Sequence, residues 1–168
     1  KANLPVGSMF LLGILAGAFI GFGGLGNTVA SQTFANIDPG VAKLIGAAVF
    51  PVGLMLVVIC GAELFTGNNL MTLALMNNKI TGGQMVKNWC VVWVGNLVGS
   101  IALALIVFYG DVLTGDAATK AIAIAEGKAG LDIMTMILRG ILCNILVVLA
   151  VWMATSAQDI ISKIFSCW

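Results

Sequence analysis

Histidine is absent from this chain, and charged side chains make up only 9% of its 168 residues. Soluble domains average about 25% charged residues, so the composition argues against a water-exposed globular protein. The missing imidazole removes the commonest general base and metal ligand. No other group of residues joins a nucleophile to a base or clusters metal ligands. We therefore expect no enzyme, no metal site and no cofactor.

Basic stripes and paired cysteines are missing as well. The formal net charge is only +1, which leaves no electrostatic footprint for nucleic acid. The cysteines lie in apolar segments without C-x-x-C spacing, which favours small hydrophobic residues over a disulfide or metal framework. They are Cys60, Cys90, Cys143 and Cys167.

Apolar length is what the chain has: 60% of its residues are hydrophobic, and its mean hydropathy is +1.08. A membrane-spanning helix needs about 20 such residues. The predicted spans are Val6 to about Leu25, a broken span from Val41 to about Met76, Met85 to Tyr109, and Ile133 to Ala154. The predicted connections are a polar excursion at 27–39, a loop at 77–83, an interfacial helix at 117–125 and a new segment from Ser156. The fold class is therefore an all-α, polytopic membrane helical bundle, with residues 1–168 in one transmembrane domain.

The most informative segment is the interruption of the second span, from Gly61 to Asn69. Lipid cannot hydrogen-bond to backbone, so a broken spanning helix survives only where protein buries the break or a wet cavity lines it. Broken helices hold small solutes in transporters and channels. The pattern predicts one half-helix from Val41 to about Gly61 and another from Gly67 to about Met76. It indicates passage of something small through a membrane.

Glycines at every fourth position predict two faces for close helix packing. They are Gly13, Gly17 and Gly21 in the first span, and Gly95 and Gly99 in the third.

Loop charges predict the orientation. The loop with Lys79 and Lys87 has no acidic residue and is predicted to be cytoplasmic, as is the N terminus. The 111–132 stretch carries four acidic residues against two lysines and is predicted to face outward. Because the chain stops at Trp168 inside an apolar segment, we expect further residues of the fold to be missing or on another chain.

Glu63 and Arg139 are the charges deepest within the predicted spans. A bare charge at mid-bilayer costs at least about 2.5–3.5 kcal/mol, so each needs a partner. They pair with each other in one interpretation; in another, Glu63 accepts from the amides of the second half-helix. A purely structural role, locking the fold, is the alternative to a functional one.

Thr66, Gly67, Asn68 and Asn69 open the second half-helix, whose unpaired N–H groups and positive dipole end face the break. Such a terminus attracts anions, and the Thr66 hydroxyl can donate to one. The alternatives are a plain N-cap, with Thr66 accepting from the amide of Asn68 or Asn69, and a cation site on the opposite half-helix.

Three apolar residues and one lysine are further candidates. Phe50 and Leu54 lie one helical turn apart and, with Leu64, suggest a pore-facing stripe, although such residues are usually core or lipid-facing. Lys128, at the outer end of the fourth span, draws anions into a vestibule in one interpretation. In the other, it is an interfacial lysine that snorkels.

This combination resembles the formate/nitrite transporter family, and most closely its hydrosulfide ion channel branch from clostridia. The resemblance rests on GAELFTGN at 61–68, on Lys128, and on RGILCNILVVLAVWM at 139–153, and it runs through nearly all of the chain. It implies an aquaporin-like protomer of six spans in two inverted halves, assembled as a homopentamer in a bacterial inner (cell) membrane. This chain would be the N-terminal part of that protomer, with the C-terminal half missing or on another chain.

On this resemblance, small monovalent anions of the hydrosulfide, formate and nitrite class pass through one pore per protomer. The implied site consists of an outer apolar constriction, an inner one, the hydroxyl of the break and two polar residues bordering the pore. Phe50 and Leu54 match the outer constriction, and Leu64 matches the inner one. Thr66 matches the hydroxyl of the break. Lys128 and Asn144 match the two polar residues that border the pore. The family's pore histidine and second constriction phenylalanine belong to a second broken helix, which this chain does not reach.

Two alternatives stay open. An aquaporin-like neutral-solute channel shares the half-helices but expects Asn-Pro-Ala at each break, where this chain has Asn68-Asn69-Leu70. A non-conducting structural membrane fragment is the other.

Overall fold

A computed structural model describes residues 1–34 and 37–168, and the secondary structure of this part of the chain is helical. The helices are α1 (Val6–Ser31), α2 (Pro39–Val49), α3 (Val52–Ile59), α4 (Phe65–Asn68), α5 (Met71–Met76), α6 (Gly82–Tyr109), α7 (Gly115–Ala129), α8 (Ile133–Ser156) and α9 (Ile160–Cys167). Four helical stretches in the described residues are long and apolar enough to cross a membrane: Val6–Ser31, Pro39–Ile59, Gly82–Tyr109 and Ile133–Ser156. The all-α, multi-span prediction is confirmed.

Helix α1 is longer than predicted, because it continues past Leu25 to Ser31. Its polar end stays helical because the hydroxyls bond to carbonyls one turn back: Thr28 Oγ1 donates to Gly24 O at 3.0 Å, and Ser31 Oγ donates to the Asn27 carbonyl. The prediction of a loop from residue 27 is therefore wrong for 27–31. Residues 35 and 36 of that predicted excursion lie outside the described residues.

Helices α1 and α6 pack at backbone distance through the two glycine faces, as predicted. A Cβ added to Gly13 would lie 3.2 Å from Gly95 Cα, and a Cβ added to Gly95 would lie 2.8 Å from Phe10 O. At Gly17 and Gly99, an added Cβ would overlap a carbonyl of the other helix. Small residues are therefore required along this seam.

The first half of the broken span is itself bent. Asp38 caps α2, because its carboxylate accepts from the Gly40 amide at 2.7 Å, and Pro39 opens the helix. Pro51 has no N–H to continue the helical ladder, so α2 and α3 meet at a bend beside Phe50. The structure begins this half-helix at Pro39 rather than Val41 and ends it at Ile59 rather than Gly61.

Capping residues set the remaining boundaries. Thr81 and Gln84 form a capping box, so α6 begins at Gly82 and the loop is two residues shorter than the predicted 77–83. Asp132 caps α8 through the Thr135 amide and hydroxyl, and these hydrogen bonds hold the pKa of Asp132 below its usual range. The predicted interfacial helix at 117–125 is present as the longer α7.

Helix α9 turns back from the end of α8 and packs against α3. Leu54, Ala154 and Cys167 form a buried cluster there, and the Trp168 indole donates to Ala48 O at 2.8 Å. Most of the α8 side chains are exposed in this chain, and Ala154 is its buried exception. The four cysteines are all unpaired thiols.

Candidate functional site

The break in the second span is real and begins just after α3. Gly61 has φ +73°, a conformation that glycine adopts without steric cost. Leu64 is extended, and α4 starts at Phe65, so the second half-helix begins two residues before the predicted Gly67. The sharp turn at Gly61 and the extended Leu64 interrupt the span at the predicted motif.

Asn96, on α6, holds this break in place. Its Oδ1 accepts from the Phe65 amide at 2.9 Å, which satisfies the first N–H of α4. Its Nδ2 donates to Glu63 O at 2.9 Å and to Gly13 O at 2.8 Å. One side chain therefore ties the break to α1 and α6. Asn96 has no role in the sequence-based prediction.

Glu63 is 2% exposed and forms an ion pair with Lys1. The distance between Glu63 Oε1 and Lys1 Nζ is 3.3 Å. Its other oxygen accepts from Asn68 Nδ2 at 2.6 Å. The predicted pairing of Glu63 with Arg139 is wrong, since Arg139 is exposed on α8. The other interpretation, that Glu63 accepts from an amide of the second half-helix, holds for the side-chain amide of Asn68. The Lys1 side chain is 52% exposed, so one end of the pair meets solvent.

Asn68 is 1% exposed and uses all of its polar groups inside the protein. Its Oδ1 accepts from Lys1 Nζ at 3.1 Å, and its Nδ2 also donates to Asn88 Oδ1 at 2.9 Å. Its carbonyl accepts from the Trp89 indole at 3.1 Å, and its amide donates to Leu64 O. Asn68 therefore holds the half-helix in place and has no polar atom left over for a solute.

Thr66 lies inside α4 and does not cap it. The N-cap position belongs to Leu64, and no side chain caps there, so the predicted Thr66 N-cap is wrong. The N–H groups of Thr66 and Gly67 have no acceptor among the described residues. Two unpaired amides therefore remain at the start of the second half-helix.

A cavity of about 360 Å³ lies beside Gly67. Leu64 and Gly67 line one side of it, and Val151 and Thr155 of α8 line another. Lys1, which pairs with Glu63, and Lys163 also line it. The arrangement brings an apolar side chain, a free backbone donor and positive charge to one small space.

The other predicted residues are distributed over the fold. Phe50 is 42% exposed and lines a separate cavity beyond the opposite end of α3, whereas Leu54 is buried one turn away. Asn144 accepts a hydrogen bond from Asn69 Nδ2, which links α8 to the residue after α4. Lys128 is exposed in the last turn of α7 and lines none of the cavities described here.

Comparison with known proteins decides the family. The family model described as formate/nitrite transporter matches residues 1–168. The chain belongs to the formate/nitrite transporter family. The transporter YrhG of Bacillus subtilis is 40% identical over all of this chain and 64% of its own length. The formate channel BtFdhC of Bacillus thuringiensis is 38% identical over all of this chain and 66% of its own length.

A solved structure of a pentameric formate channel with formate bound superposes with a TM-score of 0.86 at 35% identity. The match covers 96% of this chain and 65% of that one. The chain thus spans about two thirds of the length of these relatives. The family prediction is confirmed, and the family consists of transporters, in line with the expectation that this chain is not an enzyme.

Lys1 is not among the site residues predicted from the sequence, although an internal repeat in the sequence relates it to Lys128. Lys1 lies five residues before the start of α1, and Lys128 lies five residues before the start of α8. Aligned on this spacing, eight of the first fifteen residues recur in 128–142. They are Lys1, Ala2, Leu4, Met9, Leu11, Gly13, Ile14 and Leu15, which match Lys128, Ala129, Leu131, Met136, Leu138, Gly140, Ile141 and Leu142.

Proposed function

We propose that this chain forms most of a channel protomer that passes small monovalent anions of the formate, nitrite and hydrosulfide class across a cell membrane. The observation that carries the proposal is the break at Gly61–Leu64 beside a cavity lined by Gly67, whose N–H has no acceptor among the described residues. Relatives named as formate channels support the same anion class.

The permeation route has to offset the cost of dehydrating an anion, which is on the order of 20 kcal/mol in the idealised Born limit. The Thr66 and Gly67 amides supply hydrogen bonds where the half-helix dipole is positive. The Thr66 hydroxyl, half-buried in the same turn, is a further donor. Leu64, beside Gly67, narrows the route and admits only small permeants, as hydrophobic constrictions do. Phe50 and Leu54 would form the outer constriction.

Lys1 would attract anions to the 360 Å³ cavity beside Gly67, the inner cavity, without trapping them. Two of its three N–H groups bond to Glu63 and Asn68, which leaves one donor for a passing anion. The Glu63 carboxylate balances the charge, so the ammonium orients the anion without adding a deep electrostatic well. Lys128 and Asn144 would border the pore on the side opposite Lys1.

The complete pore would need further residues. The repeat that relates Lys1–Leu15 to Lys128–Leu142 supports a protomer of two inverted halves with six spans and an aquaporin-like plan. The large exposed apolar surface of α8 supports its burial against the rest of the protomer or a neighbouring protomer. A homopentamer with a cytoplasmic N terminus completes the proposal. The pentameric formate channel supports the oligomeric state.

The test is anion flux into liposomes that contain the full-length protein, with Leu64→Ala against the wild type. Removing the constriction should raise formate flux severalfold and weaken exclusion of larger anions such as acetate and lactate. Leu73→Ala, on the neighbouring α5 and outside the inner cavity, is the matched control and should leave both unchanged.

The permeant panel separates the alternatives. Formate, nitrite and hydrosulfide fluxes rank the anions, and osmotic swelling in sucrose measures water. Water permeation without anion flux would replace the proposal with a neutral-solute channel. No permeation of either kind in a correctly folded pentamer would favour a structural membrane protein.

A further inference from the structure

A second cavity, of about 660 Å³, lies between the C-terminal end of α1, the first half of the broken span and α7. Phe50 lines it, together with Asn27, Ser31, Lys43 and Lys120. No acidic residue is among its lining residues in the described part of the chain. On the proposed function, in which Phe50 forms the outer constriction, this cavity leads into that constriction.

Lys120 is fixed in this cavity by the end of α1. Its Nζ donates to Ser31 O at 2.6 Å and to Ser31 Oγ at 2.7 Å. Ser31 is 1% exposed, and its own hydroxyl proton is donated back to Asn27 O. The last carbonyls of a helix carry partial negative charge, so an ammonium group is stable there. The third N–H of Lys120 remains for an occupant of the cavity.

The positive charge in this cavity is not cancelled nearby. Among the described residues, neither lysine of the cavity has a carboxylate within ion-pair distance. Asp116, one turn before Lys120 on α7, does not reach it, and Asp38 on the α2 side is engaged by the Gly40 and Val41 amides. Glu126 and Lys128 lie farther along α7, and neither lines the cavity. Lys43 is exposed and adds a second positive charge on the α2 side.

We infer that Lys120 is an anion-recruiting residue of the outer mouth: it collects small monovalent anions in the Phe50 cavity before they enter the pore. This inference rests on the proposed function. Lys120 is half-buried and anchored, so its charge has a fixed position, whereas a freely moving surface lysine spreads its charge over solvent. Lys128, the outer lysine predicted from the sequence, has no such anchor within the described residues.

The test compares Lys120→Gln and Lys120→Arg in the full-length protein, with Lys79→Gln in the predicted cytoplasmic loop as control. Initial rates of formate uptake into liposomes are measured from low to saturating formate. Lys120→Gln should raise the KM about tenfold, the effect of one charge about 3.2 Å away at an effective dielectric constant of about 80. The KM should rise by a larger factor than the maximal rate falls, Lys120→Arg should restore the KM, and the salt dependence of the KM should weaken in Lys120→Gln.

A merely structural lysine would give a different pattern. Loss of the Ser31 contacts alone would lower the maximal rate and the pentamer's melting temperature, and would leave the salt dependence of the KM as in the wild type. Either that pattern or a KM unchanged by Lys120→Gln overturns the inference.

A second measurement does not depend on conduction. Crystals soaked in bromide should show an anomalous peak within hydrogen-bonding distance of Lys120 Nζ in the wild type, and no peak in Lys120→Gln. If the wild type passes no formate, the proposed function fails, and the bromide peak alone decides whether Lys120 binds anions. A cavity without bromide in the wild type overturns the inference.

Discussion

Replacing Asn96 with leucine removes the three hydrogen bonds that hold the break, at nearly constant side-chain volume. Gly13 O loses little, because it lies mid-helix in α1 and keeps its helical partner. Among the described residues, Asn96 is the hydrogen-bond partner of the Phe65 amide and of the Glu63 carbonyl, so both groups lose their partner. The substitution therefore leaves two backbone groups without a partner at the point where the half-helix begins.

The cost follows from those two groups. A buried donor or acceptor left unsatisfied costs about 1–3 kcal/mol, so Asn96→Leu should destabilise the fold by about 2–6 kcal/mol. Asn96→Ala should cost less, because the smaller side chain leaves room for a water molecule that can bond to both groups. If lost packing controlled the stability, Asn96→Ala would be more destabilising than Asn96→Leu, because alanine removes more side-chain volume. The hydrogen-bond argument predicts the opposite order.

Ser100 gives a matched control, since it lies one turn along the same face of α6. Its single hydroxyl proton is shared between Asn96 O at 2.9 Å and Gly17 O at 3.3 Å, and both carbonyls lie within helices. Ser100→Ala should therefore cost only about 0.5–1.5 kcal/mol. The stability of each variant is measured by thermal unfolding of the pentamer in detergent, followed by tryptophan fluorescence. Its activity is measured as formate flux. If Asn96→Leu melts and conducts like Ser100→Ala, Asn96 does not hold the break.

Two further predictions use other parts of the fold. Lys128→Glu should sharply slow anion flux while leaving the melting temperature unchanged, because Lys128 is exposed and unpaired in the described residues; unchanged flux would remove its vestibule role. Gly99→Ala should lower the melting temperature, because overpacking costs about 1–3 kcal/mol and the added Cβ would overlap Ile14 O of α1. Gly127→Ala is its control, since a Cβ there meets nothing within 4 Å, and equal melting of the two variants would count against the close α1–α6 seam.

Most of the fold is predictable because its determinants are local in sequence. Long apolar runs give the spans, since lipid forces each backbone group to bond within its own helix. The spacing of Gly13, Gly17, Gly95 and Gly99 predicts two close-packing faces, and the structure shows that they pack against each other. Turn residues give the approximate ends of the helices. The polar end of α1 is the exception, because hydroxyls that bond one turn back make a helix look like a loop.

The contacts of the site are less predictable, because they join residues that are distant in the chain. Asn96 reaches Gly13 across 83 positions, and Lys1 reaches Asn68 across 67. No periodicity encodes such pairs, so the sequence leaves Glu63 with two possible partners, Arg139 and the amides of the second half-helix, and does not indicate Lys1. The Thr66 cap fails for a related reason: the Asn96 side chain binds the Phe65 amide, so the helix begins at Phe65 and Thr66 lies inside it rather than at its cap position.

The hydrogen bonding of the break explains why two amides matter more than the many polar groups around them. Every buried side-chain nitrogen or oxygen in the described residues has a partner, and Asn68, Glu63 and Asn96 are fully engaged. Against this background, the N–H groups of Thr66 and Gly67 stand out as unpaired. An unsatisfied backbone donor at membrane depth costs several kcal/mol unless water or a solute pairs with it. Gly67 lines the inner cavity, and on the proposed function an anion there would be a strong acceptor for its N–H.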